Sequence, residues 1–285
     1  MNRSAEVSSR NELTMGRILL DQGKLSALDA ERVMSLQKEK GLRFGEAAIE
    51  LGLIGEADLQ QVLARQFDYP YLLPGEGSFS PELVAAYAPF SPQVESLRAL
   101  RSQLMLRWFV PGHKTLALAS AQPGEGASYL AANLAVVFSQ LGERTLLIDA
   151  NLRNPGAGAL FNLGGGKGLS DILAERADLS AIQRIPSFVD LSVLPAGTLA
   201  PNPAELLSRS NLIDILATLG GDYDVILLDT PAAQIASDFQ TVAARAGGAI
   251  IAVRKHHTRI SEVAGIKDMI AAAGAEVVGA VINEY

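Results

Sequence analysis

An apolar run from Leu116 to Ser120 leads straight into Ala121-Gln122-Pro123-Gly124-Glu125-Gly126-Ala127-Ser128-Tyr129, and an apolar stretch continues through Leu141. The pattern predicts a short buried strand, a glycine-rich turn and a helix that begins inside the turn. Backbone N–H groups in such a turn converge, and the helix dipole adds partial positive charge, so the turn is built to take a phosphate. A loop of this kind ordinarily finishes with a Lys that reaches the phosphates and a Ser or Thr whose hydroxyl binds Mg²⁺. Here Ala127 stands where the Lys belongs, Ser128 keeps the hydroxyl, and Tyr129 adds a bulky ring beside it. The residues expected to cradle a nucleotide are therefore Gln122, Pro123, Gly124, Glu125, Gly126, Ala127, Ser128 and Tyr129, with the loop's own cation missing.

Further apolar runs alternate with helical stretches: Thr115 to Ala121, Thr145 to Asp149, Leu191 to Pro195, Val225 to Asp229, Ala249 to Val253 and Val277 to Ile282. Runs that are apolar throughout, rather than alternating, mark strands covered on both faces. They predict an α/β fold, a P-loop NTPase-like, mostly parallel sheet with helices on both faces. Ligands of such sheets sit at the carboxyl ends of the strands. Asp149 and Asp229 each end a strand there, where a carboxylate can hold Mg²⁺ and orient a nucleophile. The plain alternative is that each caps the following turn or helix. Ser128, Asp149 and Asp229 are the expected metal ligands.

With 285 residues, 48% hydrophobic and 19% charged, the chain can form one large domain and a small one, and its net charge of -7 argues against a nucleic-acid partner. The absence of cysteine excludes disulfides and thiolate metal sites. No apolar run approaches the roughly 18 residues of a membrane span. The expected location is cytoplasmic, peripheral at the inner membrane only through a partner. His256 and His257 read as surface residues, and Trp108, Met105 and Phe109 as core.

The first seventy residues repeat on themselves at an offset of 29, with Gly16, Gly23, Asp29, Val33 and Gln37 falling on Gly45, Gly52, Asp58, Val62 and Gln66. Each unit reads as a helix, a glycine C-cap and a second helix begun at Ser26 or Gly55. The expected organisation is a tail over 1–12, a small all-α helical repeat domain over 13–72, a Pro-, Gly- and Ser-rich linker over 73–91 and the α/β domain over 92–285.

These helical units resemble the N-terminal domain of type II secretion and pilus assembly ATPases. Part of that family binds cyclic di-GMP at Arg-Leu-Gly corners, which would fall here on Arg43, Gly45 and Gly16, although Thr14-Met15-Gly16 lacks the Arg. Protein docking is the alternative use of such a domain.

The larger domain resembles the bacterial tyrosine kinases of capsule and exopolysaccharide systems. The resemblance is carried by the glycine-rich loop, Thr145 to Pro155, Leu194 to Gly197, Pro201 to Leu207, Asp229-Thr230-Pro231 and Glu95-x-x-Arg98-x-x-Arg101. With the helical domain in front, it is similar to the soluble chain-length-determinant subgroup. This resemblance implies ATP and ADP binding with Mg²⁺, and autophosphorylation of C-terminal tyrosines, here Tyr285. It also implies a homo-oligomer packed through the helix of Glu95, Arg98 and Arg101, a membrane chain-length determinant (polysaccharide co-polymerase) protein as partner, and Asn283 at the adenine. The sequence departs where Ala127 replaces the Lys, Asn151 replaces the second carboxylate of an Asp-x-Asp segment, and the tail holds one tyrosine.

A cation on the transferring phosphoryl group is worth on the order of 10³ to 10⁵ in rate. Lys114 sits at the wrong end of its strand, roughly 20 Å away at about 3.3 Å per residue. Arg153, which follows the Asp149 strand, and Lys167 are the expected substitutes, with Arg98 of a neighbouring copy as another. Three functions follow: a tyrosine autokinase regulating polysaccharide chain length, a nucleotide-controlled scaffold docked on a membrane chain-length protein, and, less well supported, a positioning ATPase of the MinD and ParA type.

Overall fold

The computed structural model describes residues 15–56, 58–59, 62, 71–72 and 76–284. The chain divides into two compact units, Met1–Tyr71 and Leu72–Tyr285.

In the first unit, residues 15–21 are helical, followed by α1 (Ala27–Lys40) and α2 (Phe44–Glu50). The repeat is visible as repeated capping chemistry. Gly23 and Gly52 both turn the chain at positive φ, 68° and 67°, where a side chain would be strained. Three residues beyond each start, the carboxylate of Asp29 accepts from the Ser26 N–H (3.2 Å) and that of Asp58 from the Gly55 N–H (2.9 Å). Met15, Leu19, Val33, Phe44, Ala48 and Ile54 form the core of this unit.

The second unit opens with α3 (Val84–Tyr87) and α4 (Pro92–Arg107). It continues as β1 (Thr115–Ser120), α5 (Ala127–Ser139), β2 (Thr145–Asp149), α6 (Ala157–Leu160), α7 (Leu169–Leu173), β3 (Gln183–Arg184) and β4 (Leu191–Leu194). It closes with α8 (Pro203–Ser208), α9 (Asn211–Asp222), β5 (Val225–Asp229), α10 (Asp238–Ala246), β6 (Gly248–Arg254), α11 (Ile260–Ala272) and β7 (Glu276–Asn283). The seven strands lie in the order β3-β4-β2-β5-β1-β6-β7, parallel except for β3, which pairs antiparallel to β4. The expected sheet is present, with strand ends displaced by a residue or so; the two-residue edge strand β3 is too short and polar to show in the sequence.

Side chains alternate across the central strands, so each face of the sheet builds its own core. Leu116, Leu118, Leu147, Leu227 and Ile250 pack on one side with α4 and α5. Ala117, Ala119, Leu146, Ile148, Leu228 and Ile251 pack on the other with α9, α10 and α11. That two-sided burial is why the strands read as apolar throughout.

Residues 76–91, expected as part of a linker, pack within the second unit. Leu83, Ala85 and Ala86 are fully buried, and Phe79 packs on Phe161 and Phe188 with centroids 5.9 and 6.3 Å away. Asn133, a buried amide on apolar α5, explains the anchorage. Its Oδ1 accepts from Ala85 N–H (2.9 Å) and its Nδ2 donates to the Glu82 carbonyl (3.0 Å). Composition misled because the segment's anchors are few and its Pro and Gly content is high.

Trp108 is core, as expected: it is buried, and its Nε1 donates to the Thr115 carbonyl (2.9 Å). It lies so close to β6 that a Cβ at Gly248 would stand 2.6 Å from its Cζ2. Gly248→Ala is expected to cost about 1–3 kcal/mol through overpacking, measured by denaturant unfolding. Trp108→Leu in the same chain should recover part of that loss, a positive coupling in a double-mutant cycle.

Candidate functional site

The β2–β5 register aligns Asp149 with Asp229, and the β1–β5 register sets Leu118 beside Asp229. Two carboxylates thus end neighbouring central strands at the mouth of the glycine-rich turn. The turn itself has the expected form. Gly124 (φ 80°) and Gly126 (φ 87°) take left-handed conformations, Gly126 is the N-cap of α5, and Ala127 is its first residue.

Ser128 Oγ donates to Asp229 Oδ2 at 2.6 Å, so the structure brings together the residues named as metal ligands. Asp149 does more than the sequence implied. Its Oδ1 accepts from Asn151 N–H (3.2 Å), and its Oδ2 accepts from Gly156 N–H (3.0 Å) and Gly158 N–H (3.3 Å). It therefore caps the turn into α6 as well as facing Asp229. Asn151 turns its own Oδ1 to Asn154 N–H (3.1 Å) and shapes that loop.

Burial pushes Asp149 up to about 6, against the lowering effect of its backbone donors. Burial, and then the charge of Asp149, raise Asp229 well above the ordinary carboxylate range. Asp229 Oδ1 is buried with no hydrogen-bond partner. A divalent cation answers both features, since it supplies charge to a repelling pair and a ligand bond to the orphaned oxygen. Among the described residues no cluster of three or more His, Cys, Asp or Glu side chains gathers. Ser128, Asp149 and Asp229 thus fit Mg²⁺, an ion that takes few protein ligands and completes its shell with water and phosphate.

Other expected binders serve the loop. The buried Glu125 carboxylate folds back under the turn: Oε2 accepts from the N–H groups of Ala121 (2.7 Å) and Gln122 (3.0 Å), and Oε1 from Thr258 Oγ1 (2.5 Å). Asn283, expected at the adenine, donates its Nδ2 to the Glu125 carbonyl (2.8 Å). Gln122 Nε2 donates to Glu262 Oε1 (2.7 Å). Thr258 went unnoticed in the sequence. The available signal was Glu125 itself, because an acidic residue inside an anion-binding turn has to be satisfied by donors from somewhere.

The nominated substitute cations are engaged elsewhere. Arg153 pairs with the buried Asp238 through Nε–Oδ2 (2.7 Å) and Nη2–Oδ1 (3.2 Å). Lys167 Nζ donates to the Arg176 carbonyl (3.0 Å) and lines a separate cavity with Arg176 and Asp178. Lys114 Nζ closes the end of α9 through the carbonyls of Gly220 (2.6 Å) and Tyr223 (3.1 Å).

On α4, Arg98 pairs with Glu95 at 3.2 Å, and Glu95 is 73% exposed. Arg101, expected at an interface, instead reaches inward, its Nη1 donating to the Val137 carbonyl on α5 (2.7 Å). Arg43 is exposed, whereas Gly16 and Gly45 are buried. A Cβ on Gly16 would stand 3.2 Å from the Phe44 ring, and Gly45 faces Leu59 even more closely. The two glycines serve helix packing, which accounts for their recurrence without a dinucleotide. His256 and His257 are exposed. Tyr285 and the 1–12 tail lie outside the described residues.

The electrostatics set a pH dependence. Each aspartate binds its proton more tightly folded than unfolded, so the apo protein loses stability as pH rises above about 4; the part owed to Asp149 is lost as pH passes about 6, and the part owed to Asp229 as pH passes through its own raised range. Asp229→Asn is therefore expected to raise the apo melting temperature at pH 8 by about 2–6 °C, with a smaller gain at pH 4.5. Calorimetric scans of both chains across that range measure it.

The family model described as "Cellulose biosynthesis protein BcsQ" matches residues 113–259. Tyrosine-protein kinase YwqD of Bacillus subtilis is 32% identical over 201 residues, 70% of this chain and 85% of that protein. The putative tyrosine-protein kinase CapB of Staphylococcus aureus is 33% identical over 196 residues, 69% and 86% of the two chains. Among solved structures, the kinase domain of the Escherichia coli tyrosine kinase ETK superposes with a TM-score of 0.70 at 28% identity, covering 76% of this chain and 86% of that one. The cell division ATPase MinD of Pyrococcus furiosus shares the fold, with a TM-score of 0.53 at 22% identity over 60% of this chain and 71% of that one. The sheet order, the glycine-rich turn, the paired aspartates and this identity over most of two relatives lead to one assignment: the chain belongs to the bacterial tyrosine-protein kinase family.

Proposed function

We propose that this protein is a nucleotide-binding scaffold of the tyrosine-kinase family: it takes ATP or ADP with Mg²⁺ and transfers phosphate slowly or not at all. It acts in exopolysaccharide chain-length control or export, docked on a membrane chain-length (polysaccharide co-polymerase) protein. One observation carries the reading. The turn keeps its glycine conformations, and Ser128 and both aspartates stand together, while Ala127 occupies the lysine position and Arg153 is committed to Asp238.

Binding and transfer depend on different parts of such a site. Backbone N–H groups, the helix dipole and a cation can hold a nucleotide's phosphates. Acceleration needs a positive charge aimed at the transferring group, and Ala127 cannot supply it. Bound Mg²⁺ would neutralise phosphate charge; Ser128, Asp149 and Asp229 are the residues to hold it. The polysaccharide setting is supported by the name of the matching family model and by a relative from a Klebsiella pneumoniae cps region, 27% identical over 251 residues and 34% of that protein's length. No described helix is long and apolar enough to cross a membrane, which suits docking on a partner. The exposed Glu95 of α4, with Arg98 paired to it, is the contact offered to a neighbouring copy.

The kinase reading is retained as second because both aspartates are in place at family-level identity; in it Tyr285 is the phosphoacceptor. Calorimetric titration with Mg-ADP and an anti-phosphotyrosine blot after incubation with Mg-ATP separate the two. The wild-type chain is expected to bind and to form no phosphotyrosine within an hour. Ala127→Lys should bind at least about tenfold more tightly, the worth of one charge-assisted contact. Phosphotyrosine on the wild type would replace the scaffold by the kinase, and absence of binding in both chains would sink both readings.

A further inference from the structure

We infer that Arg254 supplies the positive charge that holds a nucleotide's phosphates in this cleft, standing in for the missing loop lysine; the inference rests on the nucleotide reading above.

A cavity of ≈ 1150 Å³ opens beside the glycine-rich turn, and Gly124, Gly126 and Tyr129 line it together with Arg254 and Asn283. Among the described residues lining it, Arg254 is the only Lys or Arg. The acidic residues lining it are Glu82 and Glu284, and Glu284 is held by Lys255 Nζ at 2.6 Å. The cleft that receives the turn's glycines thus has one cation, and it comes from β6.

Two independent links fix the backbone of Arg254 to the turn. Its N–H donates to Thr258 Oγ1 (2.9 Å), which in turn donates to Glu125 Oε1 (2.5 Å). The β6–β7 register aligns Arg254 with Asn283, whose Nδ2 donates to the Glu125 carbonyl (2.8 Å). Both routes end on Glu125, between the two left-handed glycines. The stem of Arg254 therefore starts from a point held rigidly against the phosphate turn, and a preorganised start lowers the entropic cost of engaging a ligand. A guanidinium presents a planar fork that matches phosphate oxygens. Arg153, Lys167 and Lys114 do not line this cavity.

Mg-ADP titration of the full chain tests the assignment, using Arg254→Gln, Arg254→Lys, Arg184→Gln as a comparator of equal charge change on the edge strand, and Ala127→Lys with Arg254→Gln. Arg254→Gln is expected to weaken binding by about 10- to 100-fold and to flatten its salt dependence. Arg254→Lys should retain most of the affinity, Arg184→Gln should match wild type, and the double variant should recover binding. Circular dichroism melts confirm that each variant is folded; should Arg254→Gln not fold, Arg254→Met and Arg254→Lys decide, with loss in the first and retention in the second expected. Binding by Arg254→Gln or Arg254→Met within twofold of wild type overturns the inference while leaving the nucleotide reading intact. So does a wild type that fails to bind while Ala127→Lys binds. If neither binds, the nucleotide reading itself falls.

Discussion

The site depends on one buried carboxylate, that of Glu125. A phosphate turn has to hold several backbone N–H groups outward against their tendency to find partners of their own, and it has to do so before the ligand arrives. Glu125 satisfies the two N–H groups at the base of the turn, Ala121 and Gln122, and takes a third bond from Thr258. Without such acceptors those buried donors would each carry a desolvation cost of about 1–3 kcal/mol. An acidic side chain in an anion-binding turn looks contradictory in the sequence. In the structure it folds back on the base of the turn and works as scaffolding.

From that anchor the chemistry divides across the sheet. On the β2 and β5 side lie two aspartates brought side by side by register, one capping its own following turn and the other with an oxygen that no protein group satisfies. Such a pair is costly in the protein alone and favourable once a cation arrives. On the β6 and β7 side lies a cleft whose cationic element is an arginine rather than the usual loop lysine. With Ala127 at the start of α5, the acidic and basic side chains nearest the turn lie on its opposite flanks.

Much of this was legible because burial leaves a simple trace. Strands covered on both faces must be apolar throughout, and so β1, β2, β4, β5, β6 and β7 stood out, as did the glycine-rich turn and the carboxylates at strand ends. The helical repeat was legible for a related reason: Gly23 and Gly52, and Asp29 and Asp58, answer backbone requirements that recur with each hairpin. What stayed hidden were pairings between distant segments. The alignment of Arg254 with Asn283 is a matter of register, which depends on a sheet that must already exist. The packing of 76–91 rests on partners far along the chain, Asn133 for its backbone and Phe161 and Phe188 for Phe79. Arg153 and Arg101 looked available because neither the carboxylate of Asp238 nor the carbonyl of Val137 can be located beside them from the sequence.

The inward reach of Arg101 has a mechanical side. It ties α4 to Val137 on α5, and α5 is the helix that begins in the glycine-rich turn. Asn133, from the middle of α5, grips the segment just before α4 as well. The helix that starts at the turn is therefore hydrogen-bonded to α4, which carries the exposed Glu95 and its partner Arg98, and to the segment before it. The turn at the start of α5 and the exposed side of α4 are thus joined through hydrogen bonds to one helix, and a substitution that frees Arg101 or Asn133 removes a tie between them.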